Sequence, residues 1–136
     1  MRFVYAFEEH TPDNSVRFLL MFKKAFPFKI QTIQTDNGTE FTYKFISDTV
    51  ECPFDKALRK LGIGRKLIPP RTPWHNGKVE CSHRNDQRYF YDWETFKSLE
   101  ELNEKLKDHL EWSNSKPIWT LGYKSPNQIL AEKFVA

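Results

Sequence analysis

An α/β fold with parallel strands is what this 136-residue sequence predicts. Two observations carry that prediction. Short runs rich in aromatic and β-branched residues, "RFVYAFEE", "FKIQTIQT" and "RKLIP", have strand composition. A helical pattern separates the first from the second at the length of a crossover unit, which joins parallel strands. The length suits one domain with a modest core. There are no internal repeats, no run near the ~18 apolar residues of a membrane span, and no signal-peptide core at the N-terminus. Cys52 and Cys81 make neither a metal-spaced cluster nor a disulfide framework. A reducing, cytoplasmic setting is therefore expected, with no membrane partner, and the sequon at Asn37 is accidental.

The elements follow in order. "RFVYAFEE" reads as a strand with two acids at its exit. "TPDNSVRFLLMFKKAF" reads as a helix, with Thr11 as N-cap, Pro12 at its first position and Pro27 beyond its end. Its apolar face is expected to hold Val16, Leu19, Leu20 and Phe26. "FKIQTIQT" is a second strand around Ile30 and Ile33. "PFDKALRKLG" is a short helix, opened by Pro53 and closed by Gly62, and "RKLIP" is a third strand. "PPRTPWHNG" holds three prolines and a glycine in nine residues and is expected to be irregular. "KVECSHRNDQRYFYDW" is helical again. Ser98 and Glu101 make a capping box for a further helix, and "YKSPNQILAEKF" ends the chain as a short capped helix.

Charge is unevenly spread. From Arg59 to Arg88 there are eight basic residues against two acids, a local +6; the rest of the chain, 13 basic against 16 acidic, is −3. A basic stretch suits a polyanion-binding face or an ordinary solvated surface, and charge alone leaves both open.

Two short stretches bear chemistry. In "IQTDNGTEF" an apolar strand stops at Asp36, and Asn37-Gly38 turns the chain away. Ligands of α/β sheets collect at the carboxyl ends of parallel strands, so Asp36 faces such a crevice. A carboxylate there caps the next element, pairs with a base, or binds a metal; in isolation the first two are the commoner roles. In "HNGKVE" a flexible loop delivers Glu80 into the first turn of a helix, where acids commonly favour the dipole. The pair of acids with a basic loop between them shifts the weighing. Hard ions such as Mg²⁺ take carboxylate oxygens and keep several waters, and two-metal phosphoryl-transfer sites need such carboxylates.

"TDNGTEF" followed by "PPRTPWHNGKVECSHR" resembles the catalytic core of DDE transposases and retroviral-type integrases, and more narrowly the transposases of bacterial insertion sequences. "SNSKPIWTLGYKSPNQIL" is similar to that group's C-terminal pattern, so the resemblance spans essentially the whole chain. It implies a ribonuclease H-like mixed sheet flanked by helices. It also implies an Asp, Asp, Glu triad binding two Mg²⁺ or Mn²⁺ ions, in which Asp36 matches the second Asp and Glu80 the Glu. The implied activity is DNA integration or transposition: hydrolysis of a phosphodiester at a transposon end, then attack of the freed 3′-hydroxyl on target DNA. DNA is thus the implied partner. Lys66, Arg71, His75, Asn76, Lys78, Arg84 and Arg88 are the DNA-binding candidates, and Arg84 and Arg88, four apart, share a helix face. A homo-oligomer and a nucleoid-associated location in a bacterial cytoplasm are implied for the intact enzyme.

The chain departs from the family pattern in three ways. The leading Asp belongs to a strand expected upstream of "RFVYAFEE", with another strand between, and neither precedes it here. The fold is therefore expected to lack its first two strands, and the chain alone to be inactive and poorly stable. Residues 1–92 would carry the strands and motifs of this partial core and residues 93–136 its C-terminal helices. A catalytically inactive remnant that at most binds DNA or a full-length partner is the alternative reading. An unrelated metal-dependent nuclease is a third, which the Ser-Pro pattern disfavours. Secondly, 43 residues separate Asp36 from Glu80, an interval longer than usual, with the excess expected in a loop around "FISDTVECPF". Thirdly, Cys81 stands where many relatives carry Arg. Glu40 is expected to face solvent or a cap. Trp74 is expected to anchor its loop to the core rather than to stack on DNA.

Overall fold

The computed structural model describes residues 1–47, 49–69 and 71–135. They form two compact units, one of Phe7–Asp92 and one of Met1–Ala6 with Trp93–Ala136.

In the first unit, α1 runs over Pro12–Ala25. The Thr11 hydroxyl accepts the Asn14 N–H at 3.2 Å, and Pro12 supplies a pre-set φ where no amide partner is needed. Asp13 in the first turn and Lys23 and Lys24 in the last complement the helix dipole. Phe26 turns to extended backbone (φ −90°, ψ 121°), as the residue before a proline must. Leu19 is buried and Val16 packs against the same core. Leu20 does not share that face. It is 50% exposed, because one residue beyond Leu19 is a rotation of about 100°.

The sheet formed by the described residues has two parallel strands, β1 over Thr32–Thr35 and β2 over Gly64–Leu67. Thr32 pairs with Gly64 and Thr35 with Leu67. The crossover between them is α2, Pro53–Leu61. Leu58 and Phe54 of α2 meet Leu19, Cys52 and Ile63 in the core, with Ile30, Ile33 and Phe41 packed against them. The Phe41 and Phe54 rings meet edge-on at 5.3 Å. Gly62 ends α2 in the left-handed region (φ 64°), so that the Ile63 N–H reaches the Leu58 carbonyl at 3.0 Å. No atom of the described residues lies within 4 Å of where a Gly62 side chain would begin, so Gly62→Ala is a test of φ alone. It should cost about 1 kcal/mol in chemical denaturation, and Gly62→Asn less, because asparagine tolerates this region.

The crossover expected between "RFVYAFEE" and "FKIQTIQT" is not what forms: the parallel pair is β1 with β2. Residues 1–8 carry no strand. In the second unit the Arg2 N–H and C=O bond the Asn114 side-chain amide at 2.8 and 3.0 Å. Those of Ala6 bond Asn103 at 2.8 and 3.1 Å. Both asparagines lie on α4, Leu99–Ser115, eleven residues or about three turns apart and therefore on one face. Helix side chains thus satisfy backbone groups that a strand would have given to a ladder. The mixed sheet expected of the described residues is accordingly a small parallel one.

Ser98 caps α4 by accepting the Glu101 N–H at 3.2 Å, while the Glu101 carboxylate takes the Lys97 N–H rather than that of Ser98. The closing helix α5, Pro126–Val135, has the reciprocal box instead: Ser125 accepts from the Gln128 N–H and Gln128 from the Ser125 N–H. Leu106 and Leu110 are the buried apolar residues of α4.

Candidate metal and nucleic-acid site

Asp36 follows the last residue of β1, and its position is fixed locally. The Asp36 Oδ1 accepts the Gly38 N–H at 3.0 Å, so one of the commoner roles, capping a turn, is real and occupies one oxygen. The Phe41 and Thr42 N–H groups both reach the Gly38 carbonyl, at 2.9 and 3.0 Å, and close the turn. A side chain at Gly38 would collide with the Glu40 carboxylate. Asn37 Nδ2 donates to the Ile68 carbonyl at 3.0 Å and ties the turn to the end of β2. Asn37 Oδ1 is buried and has no partner among the described residues.

Beyond β2 the chain bends at Arg71, a non-glycine residue with φ 62°. The Thr72 hydroxyl donates to the Pro69 carbonyl at 2.5 Å. The segment expected to be irregular contains a 3₁₀ turn, Pro73–Asn76, which runs directly into α3, Gly77–Asp86. Gln34 of β1 donates to the His75 carbonyl at 3.1 Å and fastens this loop beside the strand. Glu80 lies in the first turn of α3.

Both acids line one concavity. Asp36, Asn37, Arg71, Thr72, Asn76 and Glu80 line a cavity of about 300 Å³, completed by Ile68 and Pro69. A larger cavity of about 510 Å³ lies against Phe22, Phe26, Ile30 and Ile33 and, among the described residues, is lined by no carboxylate. Size therefore does not identify the site; chemistry does. Both acids are exposed, and the donor set is oxygen only, as a hard divalent ion requires. Asp36 Oδ2 is left for an ion once Oδ1 is taken by Gly38. Among the described residues no group of three Asp, Glu, His or Cys converges. Two carboxylates suit one Mg²⁺ completed by waters and phosphate oxygens, but not the clamp on two ions.

Of the DNA-binding candidates, Arg71 and Asn76 line the concavity. Lys66 of β2, Lys78 and Arg84 of α3, His75 and Arg88 are exposed but do not line it. The backbone of His75 is engaged on both sides: its carbonyl accepts from Gln34, and its N–H donates to the Thr72 carbonyl at 3.1 Å. Arg84 lies on α3, and Arg88 lies one residue into the π turn over Gln87–Tyr91 that continues it. Arg88 lies 5.5 Å from the Tyr89 ring. Trp74 is 72% exposed and does not anchor its loop to the core. Two members of the basic stretch are already paired. Arg59 bonds Glu51 through both nitrogens of its fork and holds that carboxyl below the usual range. Arg65 is ion-paired to Asp55 and only 14% of its side chain is exposed. Neither partner was visible in charge counts. Cys81 is exposed and free.

No helix among the described residues is long and apolar enough to cross a membrane. Residues 61–126 match the family model described as Integrase core domain. The integrase-named ORF3 protein of Spiroplasma virus SpV1-C74 is 27% identical over 135 residues, which cover 93% of this chain and 37% of that protein. The chain therefore spans little more than a third of that relative. The fold is similar to the catalytic core domain of BIV integrase, with a TM-score of 0.62 at 23% identity over 93% of this chain and 75% of that one. The segment that carries Glu80, though not Asp36, is thus similar to an integrase core domain, and the fold is similar to that of an integrase catalytic core.

Proposed function

We propose that the concavity between Asp36 and Glu80 is a divalent-metal and DNA-phosphate site of a transposase or integrase, serving cleavage and strand transfer in transposition. The observation that carries this reading is the placement of the two acids, with 43 residues between them in sequence, in the lining of one cavity. Asp36 Oδ2 and the Glu80 carboxylate would hold one Mg²⁺ or Mn²⁺. When bound, the metal would supply Lewis-acid stabilisation of charge on a phosphate oxygen. The chain's own part is to orient. The Asp36 turn fixes one carboxylate, α3 presents the other, and Arg71 places a guanidinium on the same cavity where a phosphate oxygen would accept. Trp74, on the adjoining turn, offers an exposed ring for a nucleobase. Lys66, Lys78, Arg84 and Arg88 supply sequence-independent attraction to the DNA backbone, with His75 and Asn76 beside them. The full reaction uses two ions and is the work of an assembly of copies on DNA ends.

A second reading, DNA binding without catalysis, is favoured by one observation: the described residues bring two carboxylates together and no third. On that basis these 136 residues alone would bind DNA and not join it.

The test is fluorescence anisotropy with a duplex over a salt series, beside a Mg²⁺-dependent joining assay on a transposon-end oligonucleotide. Binding should be independent of sequence, and its logarithm should fall linearly with log salt. Arg84→Ala with Arg88→Ala should weaken it and flatten the slope by about two. An unchanged slope would place the DNA surface elsewhere. Robust joining lost in Asp36→Asn and in Glu80→Gln would show that some other residue completes the triad.

A further inference from the structure

We infer that Arg65 is a positioning residue for Asp36, a clamp on both feet of the turn that carries it. The inference rests on the metal reading of that turn. Arg65 lies opposite Ile33 in the parallel register, so its side chain points along the same face as Thr35, two residues on. Its Nη2 donates to the Thr35 hydroxyl at 3.1 Å, and its Nη1 to the Phe41 carbonyl at 2.7 Å. Thr35 is the residue before Asp36, and Phe41 is the first residue after the turn Asp36–Glu40. One guanidinium therefore fixes where the chain leaves β1 and where it returns.

The clamp is itself held. Asp55 of α2 is ion-paired to Nη1, and the guanidinium lies 5.7 Å from the centre of the Phe54 ring. Only the planar fork of an arginine meets these acceptors together; a lysine ammonium is one point charge. The buried Arg65 Nε–H has no partner among the described residues. The two terminal nitrogens of the fork are aimed at the two feet of the turn. The Gly38 N–H bond to Asp36 Oδ1 reports the carboxylate's position, since it breaks if the turn loosens.

The experiment uses the full chain with Mn²⁺ as probe. Gly38 amide exchange is followed by NMR, Mn²⁺ affinity by electron paramagnetic resonance, and paramagnetic broadening of the Gly38 amide marks where the ion sits. Thr35→Val is nearly isosteric and deletes only the contact beside Asp36. Arg65→Lys keeps a charge for Asp55 but loses the fork. Each should speed Gly38 exchange and weaken Mn²⁺ binding by about tenfold or more, as loss of a group that orients a metal ligand does. Gly62→Ala is the control for general destabilisation and should change neither readout. If Arg65→Lys does not fold, Thr35→Val decides. Wild-type Gly38 exchange in Thr35→Val overturns the inference, as does equal acceleration in Gly62→Ala. If wild-type protein binds no Mn²⁺ near Gly38, the metal reading fails, and Gly38 exchange still decides for or against the clamp.

Discussion

Asp36→Asn and Glu80→Gln should each weaken Mn²⁺ binding to this chain by about tenfold or more. Both changes keep the shape of the side chain and remove one unit of charge. The amide oxygen that Asp36→Asn introduces would still accept the Gly38 N–H, so the turn is expected to survive. What is lost is the anionic oxygen facing the cavity that Asp36 and Glu80 share. A hard divalent ion draws most of its affinity from ligand charge, and among the described residues two carboxylates line the cavity, so each removal takes half of that charge. The double variant should bind no better than a surface carboxylate does. Titration of free Mn²⁺ by electron paramagnetic resonance checks this. Unchanged affinity in either single variant would mean that the ion is held elsewhere.

Leu58→Ala should cost the unit of residues 7–92 about 2–5 kcal/mol. Leu58 is 2% exposed, in α2, and packs with Leu19, Phe54 and Ile63. That core is small. Truncation therefore removes apolar burial and leaves a void that short flanking elements cannot close. The effect reaches the site, because α2 is the crossover between the strands whose ends carry Asp36 and Ile68. Urea unfolding followed by far-ultraviolet circular dichroism measures it. A loss below ~1 kcal/mol would show that the core does not depend on this side chain.

The elements legible in the sequence were those written by local chemistry. Thr11 with Pro12 announced α1, and Pro53 with Gly62 bracketed α2, because capping and left-handed turns are decided within four or five residues. The local placement of the candidate site's two acids was legible for the same reason: "TDNG" states a strand end and a turn, and "HNGKVE" a loop and a helix start. What failed was non-local. A run such as "RFVYAFEE" has strand composition, yet strand identity needs a ladder partner, and the amides of Asn103 and Asn114 took that place. Nothing in α4 marks those asparagines as backbone ligands rather than solvated helix residues. Arg65 looked like one more base in a basic stretch, because its acceptors come from positions 35, 41 and 55. The π turn after Asp86 was equally silent, since its sequence "QRYFY" also suits an ordinary helix. Asn37 was hidden by its neighbours. The sequence shows it only as a turn residue, because its carbonyl partner on Ile68 lies 31 residues away.

If Asp36 and Glu80 hold one ion between them, anomalous diffraction from crystals of the chain soaked in Mn²⁺ will locate it. A single strong peak is expected in the cavity lined by these two residues, with a carboxylate oxygen of each at about 2.0–2.2 Å and the remaining positions filled by water. A peak held by other residues, or none in this cavity at saturating Mn²⁺, would contradict that assignment.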